Sequence, residues 1–173
     1  MRNFIVGVMG AGEDASREEL QMAFRLGELI ARQGWVLLTG GRNAGVMHAA
    51  SRGAKSIAGS LTIGILPDRK SEISKYVDVA IITDIGQARN NINVLSSDVV
   101  VACGARGAGT ISEIALAIKN HKPVIVMNAD AVSRKFFERL NYRELFFVSE
   151  ADEALKLICK KLVKSKPRKR IAN

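Results

Sequence analysis

The stretch from Asp98 to Glu113, DVVVACGARGAGTISE, holds the residue types from which an anion site can be built. A β-branched apolar run (Val99, Val100, Val101, then Ala102) opens into a loop with Gly104, Gly107 and Gly109. That loop delivers Thr110 and Glu113 to the start of a helix expected over Ile111 to Asn120. The first N–H groups of a helix have no partner inside it, and its dipole favours negative charge there. Glycines let the backbone close on a phosphate without a Cβ intervening. The outer glycine spacing is that of a P-loop, but Thr110 stands where the lysine that reaches the β/γ-phosphates belongs. A smaller anion such as a monophosphate fits better than a hydrolysed triphosphate.

Two further glycine clusters follow expected strands. Gly10-Ala11-Gly12 with Ala15 matches G-x-G-x-x-A, a weak dinucleotide signature on its own. The acidic residue that would hold a ribose is missing, because Thr39-Gly40-Gly41 ends the second strand. The third cluster is Gly40, Gly41 and Gly45. Each chemically suggestive residue also has a plain reading. Thr110 and Glu113 satisfy the S/T-x-x-E pattern of a helix capping box, and Arg89 could be a solvated residue in the first turn of its helix.

Strands are expected over Phe4 to Met9, Trp35 to Leu38, Leu61 to Leu66, Val79 to Thr83, Asp98 to Cys103 and Val124 to Met127, with an edge strand over Leu145 to Val148. Helices alternate with them. One opens near Arg17 on a Ser16/Glu19 capping box and stops at Gly34. Others cover Gly45 to Lys55, Gln87 to Leu95, Ile111 to Asn120, Val132 to Leu140 and Ala151 to Val163. Most strands are apolar at consecutive positions, the pattern of a parallel sheet covered on both faces. The fold class is therefore α/β: a doubly wound, Rossmann-like, mostly parallel sheet with helices on both faces. In such folds ligands bind beyond the carboxyl ends of the strands where strand order reverses, and all three glycine clusters belong at that edge.

With 173 residues, 47% of them hydrophobic, the chain suffices for one domain with a real core. We expect that domain over residues 1–163 and a basic tail over 164–173. The net charge of +9 invites a nucleic-acid partner, but from Lys156 onward every charged residue is basic, and the body is nearly neutral. Without aromatic residues to stack on bases, the tail reads as a solvated terminus and nucleic acid is not the expected partner. No apolar run approaches a membrane span. Cys103 and Cys159 form no CxxC pair and, without a secretory signal, read as reduced thiols in a cytoplasmic protein. His48 and His121 are isolated, so no metal site is expected.

Three segments in order resemble the LOG family, the cytokinin-activating nucleoside 5′-monophosphate phosphoribohydrolases long mislabelled lysine decarboxylases. They also resemble its sister group in the SLOG superfamily, the molybdenum-cofactor carrier and DprA-related proteins. The family's GGGxxGLM corresponds to Gly40-Gly41-Arg42-Asn43-Ala44-Gly45-Val46-Met47, and its PGGxGTxxE to Gly104 through Glu113. Its catalytic arginine falls on Arg89. The likeness covers about residues 4 to 127. Arg42 replaces a glycine, the proline is absent, Arg106 sits in a loop longer by one residue, and Asn90 stands where LOG enzymes have lysine. These departures look closer to the carrier-like branch.

The resemblance implies a phosphorylated nucleotide-like ligand, either a nucleoside monophosphate or the molybdenum cofactor. The ligand would be held by Gly10, Gly12, Gly40, Gly41, Gly45, Gly104, Gly107, Ala108, Gly109 and Thr110. In an enzyme, Glu113 would stabilise an oxocarbenium-like sugar or activate water, and Arg89 would clamp the ligand and orient Glu113. The resemblance also implies a homo-oligomer, dimer or larger, with helices beside the site at the interface. A binding protein ranks first, a phosphoribohydrolase second and a DNA-associated protein a distant third.

Overall fold

Strands that are apolar at every position need cover on both faces, and the chain supplies it. In the computed structural model, which describes residues 3–163, seven strands form one parallel sheet. They are β1 (Ile5–Gly10), β2 (Val36–Thr39), β3 (Thr62–Leu66), β4 (Val79–Ile82), β5 (Val99–Cys103), β6 (Val124–Met127) and β7 (Leu145–Val148). Their order, β4-β3-β2-β1-β5-β6-β7, reverses between β1 and β5. These two strands pair from Val6↔Val99 to Gly10↔Cys103, so the Gly10/Gly12 cluster and the Gly104/Gly107/Gly109 cluster leave the sheet side by side.

Successive side chains of β5 serve opposite cores. Val99, Val101 and Cys103 pack with α1 (Arg17–Arg32), α2 (Gly45–Lys55) and α6 (Ala151–Leu157). Val100 and Ala102 pack with α3 (Arg89–Ser96), α4 (Ala108–Lys119) and α5 (Ala131–Glu138). This is the doubly wound α/β architecture the strand pattern requires. Helix α1 opens on the expected capping box: Ser16 Oγ accepts from the Glu19 N–H at 3.2 Å, and Glu19 Oε2 accepts from the Ser16 N–H at 2.7 Å. Helices α1 and α2 cross where neither carries a side chain. A Cβ on Gly27 would land on the Ala50 carbonyl oxygen, and one on Gly53 on that of Phe24.

Most boundaries shift by a residue or two, and two differences from expectation are larger. Helix α4 begins at Ala108, three residues before Ile111, because Gly107 takes a left-handed φ of 80° as its N-cap and turns the chain in early. The closing helix is α-helical only to Leu157 and continues as π-helical winding through Val163, with Ile158 fully buried at the changeover. Among the described residues no helix is long and apolar enough to cross a membrane. The basic tail over 164–173 lies outside the described residues.

Candidate functional site

Residues delivered by β1, β2, β5 and their following loops surround a cavity of about 330 Å³ at the carboxyl edge of the sheet. Gly10 and Gly12 come from the end of β1 and its loop, Gly40 from the end of β2. Gly107, Gly109 and Thr110 come from the turn into α4, and Arg89 and Glu113 from α3 and α4. The structure thus brings Arg89, Thr110 and Glu113 and five of the sequence-identified glycines around one space.

The early start of α4 decides what Thr110 and Glu113 do. Thr110 lies inside the first turn and the N-cap is Gly107, which offers no side chain, so the capping box does not form. The first backbone bond of the helix runs from the Ile111 N–H to the Gly107 carbonyl at 3.1 Å. The N–H groups of Ala108, Gly109 and Thr110 therefore have no acceptor within the helix. Gly107 and Gly109 face open space, where a Cβ would meet no heavy atom within 4 Å. An uncapped helix start on an open cavity leaves its first N–H groups open to an anion.

Glu113, released from capping, points at α3. Its Oε1 accepts from Asn93 Nδ2 at 2.9 Å and lies 3.9 Å from Arg89 Nη1, too long for a hydrogen bond. Both side chains are nearly buried, which overturns the solvated reading of Arg89. Burial drives the Glu113 carboxyl above its ordinary range, and the Asn93 bond and the Arg89 charge oppose it only in part. Burial also lowers Arg89, with Arg42 adding repulsion and Glu113 opposing. The Nε of Arg89 is buried without an acceptor. An unpaired buried guanidinium N–H is costly.

The titration of Glu113 gives a signed prediction. Its folded pKa exceeds the unfolded value near 4.5, so the folded state binds the proton more tightly between the two. The stability this contributes is present below about pH 4.5 and lost as pH rises through the folded pKa. The unfolding free energy of the wild type, minus that of Glu113→Gln, is therefore expected to fall as pH rises from 4.5. Denaturant titrations across pH measure it, and a rise would mean that Arg89 holds the carboxylate charged.

The other sequence-identified glycines work behind the cavity. Gly41, with φ of 74°, lies against the Gly64 backbone, and Gly45 against the carbonyls of Ala11 and Gly12. Gly104, with φ of 79°, leaves room for the Glu19 carboxylate, and Ala108 occupies the first turn of α4 outside the lining. Gly40 admits Arg89 itself: a Cβ there would overlap the guanidinium and Met47 Sδ.

Sequence reasoning did not assign Arg42, Arg106, Asp14, Gln87 and Asn90, which also line the cavity. Arg106 Nη2 binds Glu19 Oε2 at 3.0 Å, and that bond and charge raise its already high pKa. Asn90 reaches Ser112 Oγ at 3.2 Å, tying α3 to α4. Asn93 was also missed, although its i+4 spacing from Arg89 places both on one helix face. Cys103 is fully buried and its thiol is pushed up by burial, which removes it as a nucleophile. Among the described residues no cluster of His, Cys, Asp or Glu could hold a metal ion.

The profile of the SLOG cluster4 family matches residues 3–155. The fold is similar to that of the molybdenum cofactor binding protein from Rippkaea orientalis, with 55% identity and a TM-score of 0.88 over 92% of this chain and 98% of that one. It is also similar to the molybdenum cofactor carrier protein from Chlamydomonas reinhardtii, with 46% identity and a TM-score of 0.86 over 92% and 98% of the two chains. A more distant likeness is to the cytokinin riboside 5′-monophosphate phosphoribohydrolase of Mycobacterium tuberculosis. It is 30% identical over 115 residues, 65% of this chain and 60% of that protein.

Proposed function

This chain belongs to the SLOG cluster4 family, and we propose that it binds a small phosphorylated, nucleotide-like ligand in the β1–β5 crevice as a molybdenum cofactor carrier-like protein of the cytoplasm. The observation that carries this reading is the uncapped start of α4, which opens on a cavity that the Arg89 guanidinium also lines. Such an arrangement is favourable around an anion. The ligand is a nucleoside monophosphate or the molybdenum cofactor, the latter supported by the two carrier and binding proteins of similar sequence and fold. The N–H groups of Ala108, Gly109 and Thr110 hold the phosphate, Gly10 and Gly12 let the ligand approach the backbone, and Gly41, Gly45 and Gly104 set the loops.

A second reading, N-glycosidic hydrolysis of a nucleoside 5′-monophosphate, draws on the pairing of Arg89 with Glu113 and on the mycobacterial relative. It needs a charged Glu113 to stabilise an oxocarbenium-like sugar or activate water. Burial pushes the Glu113 pKa up, and the Asn93 bond and the Arg89 charge oppose it.

Incubation with AMP and other nucleoside monophosphates separates the two. We expect no released base or ribose 5-phosphate, and a rise in the unfolding midpoint. Ligand at a hundred times its Kd adds about 2.7 kcal/mol, or roughly 5–10 °C for a domain of this size. Turnover that disappears in Glu113→Gln would instead establish the hydrolase.

We further propose that the chain assembles as a homo-oligomer through the face formed by α3, α4 and α5. Leu95 and Ile111 are exposed there, as are Val132, Phe136 and Leu140, which recur at helical spacing. Helix α4 is apolar on its outer side as well as its inner one, with Ile111 and Ala115 facing outward, and such a helix is ordinarily buried.

A further inference from the structure

Cations approach the cavity from both flanks of β1. On the β5 side stand the open N-terminus of α4 and Arg106, the latter tied to Glu19. On the β2 side stand Arg42, whose Nη1 would lie 3.8 Å from a Cβ on Gly12, and Arg89, which lies over Gly40. The charge of Arg42 acts on Arg89, and among the described residues the ion pairs of the two are weak, although Asp14 also lines the cavity. Among the described residues Arg42 meets a carboxylate only at Glu13, 3.3 Å away and 81% exposed, a contact worth little in water. Arg89 has Glu113 only at 3.9 Å, and its buried Nε has no acceptor. Two guanidinium groups in a half-enclosed space repel unless an anion lies between them. Their planar forks suit an oxyanion.

We propose that the cavity takes a ligand with two separate anionic groups: a phosphomonoester on the N-terminus of α4 and a second oxyanion between Arg42 and Arg89. The inference rests on the phosphate-ligand reading above. It gives Arg42, which occupies a glycine position of the motif, the task of holding the far end of the ligand. A ligand with phosphate alone leaves this pair unsatisfied. One that also carries an oxyanion some distance away fills both seats and spans the crevice.

The test uses AMP and inorganic molybdate as separate probes on the full chain, with bound molybdate counted after equilibrium dialysis. With AMP saturating, the wild type is expected still to bind one molybdate per chain. Arg42→Gln, at a partly exposed position, is expected to keep its unfolding midpoint and to weaken AMP much less than it weakens molybdate. It should weaken molybdate by about tenfold or more, the scale of one charge-assisted hydrogen bond. Displacement of molybdate by AMP, one for one, would overturn the two-seat proposal, as would an Arg42→Gln protein that loses AMP and keeps molybdate. Failure of AMP to bind at all, with molybdate still dependent on Arg42, would overturn the phosphate seat while upholding the second one.

Discussion

Gly109→Ala is expected to weaken AMP binding by about 100-fold and to leave thermal unfolding unchanged or slightly improved. Gly109 lies in the first turn of α4, outside the left-handed region, and an added Cβ meets no heavy atom within 4 Å. The fold has no need of glycine there, and alanine is the better helix former by up to ~1 kcal/mol. The methyl group would instead occupy the cavity face where a phosphate must come within hydrogen-bonding distance of the first N–H groups. Losing that seat at about 2.7 kcal/mol corresponds to the expected factor. Calorimetric titration with AMP measures it, and unaltered binding would move the phosphate off α4. Gly107 makes the contrast, since its φ of 80° strains any other residue, and its replacement should lower stability and affinity together.

The largest effect on stability is expected at the crossing of α1 and α2. Gly27→Ala puts a methyl group onto the Ala50 carbonyl oxygen, and Gly53→Ala puts one onto that of Phe24. In each case the obstacle is backbone, so no rotamer change relieves it and the helices must separate. Overpacking of this kind costs about 3 kcal/mol, which outweighs the helix-propensity gain of up to ~1 kcal/mol. The unfolding midpoint should fall by on the order of 4–8 °C for either variant. A variant as stable as the parent would show that α1 and α2 can repack without their glycine contact.

The strands were legible because a run such as Val99 to Cys103 can satisfy five consecutive demands of burial only inside a two-faced sheet. Its odd and even residues do belong to opposite cores. The Ser16/Glu19 box was legible for a different reason, being a local pattern whose partners are all local. The identical pattern at Thr110 and Glu113 misled because its outcome was decided elsewhere. Gly107 started the helix early, and Asn93 and Arg89, on another helix, took the carboxylate. The glycines show the same limit. Gly40 and Gly41 are neighbours in sequence, yet one makes room for a guanidinium at the site and the other for the backbone of β3. Composition marks both as glycine-rich loop, and only the crossing of distant segments distinguishes their tasks.

The adjacency of β1 and β5 has a kinetic consequence. All seven strands run parallel, so no strand can find its neighbour through a hairpin, and every pairing closes a long loop. The crevice needs Gly10 beside Cys103, the longest-range pairing in the sheet, and non-local pairing of this kind is slow. Ligand capture is thus a late event in the life of each newly made chain. A nucleotide or cofactor added during refolding should leave the early rate untouched and act afterwards, by trapping molecules whose sheet has already closed.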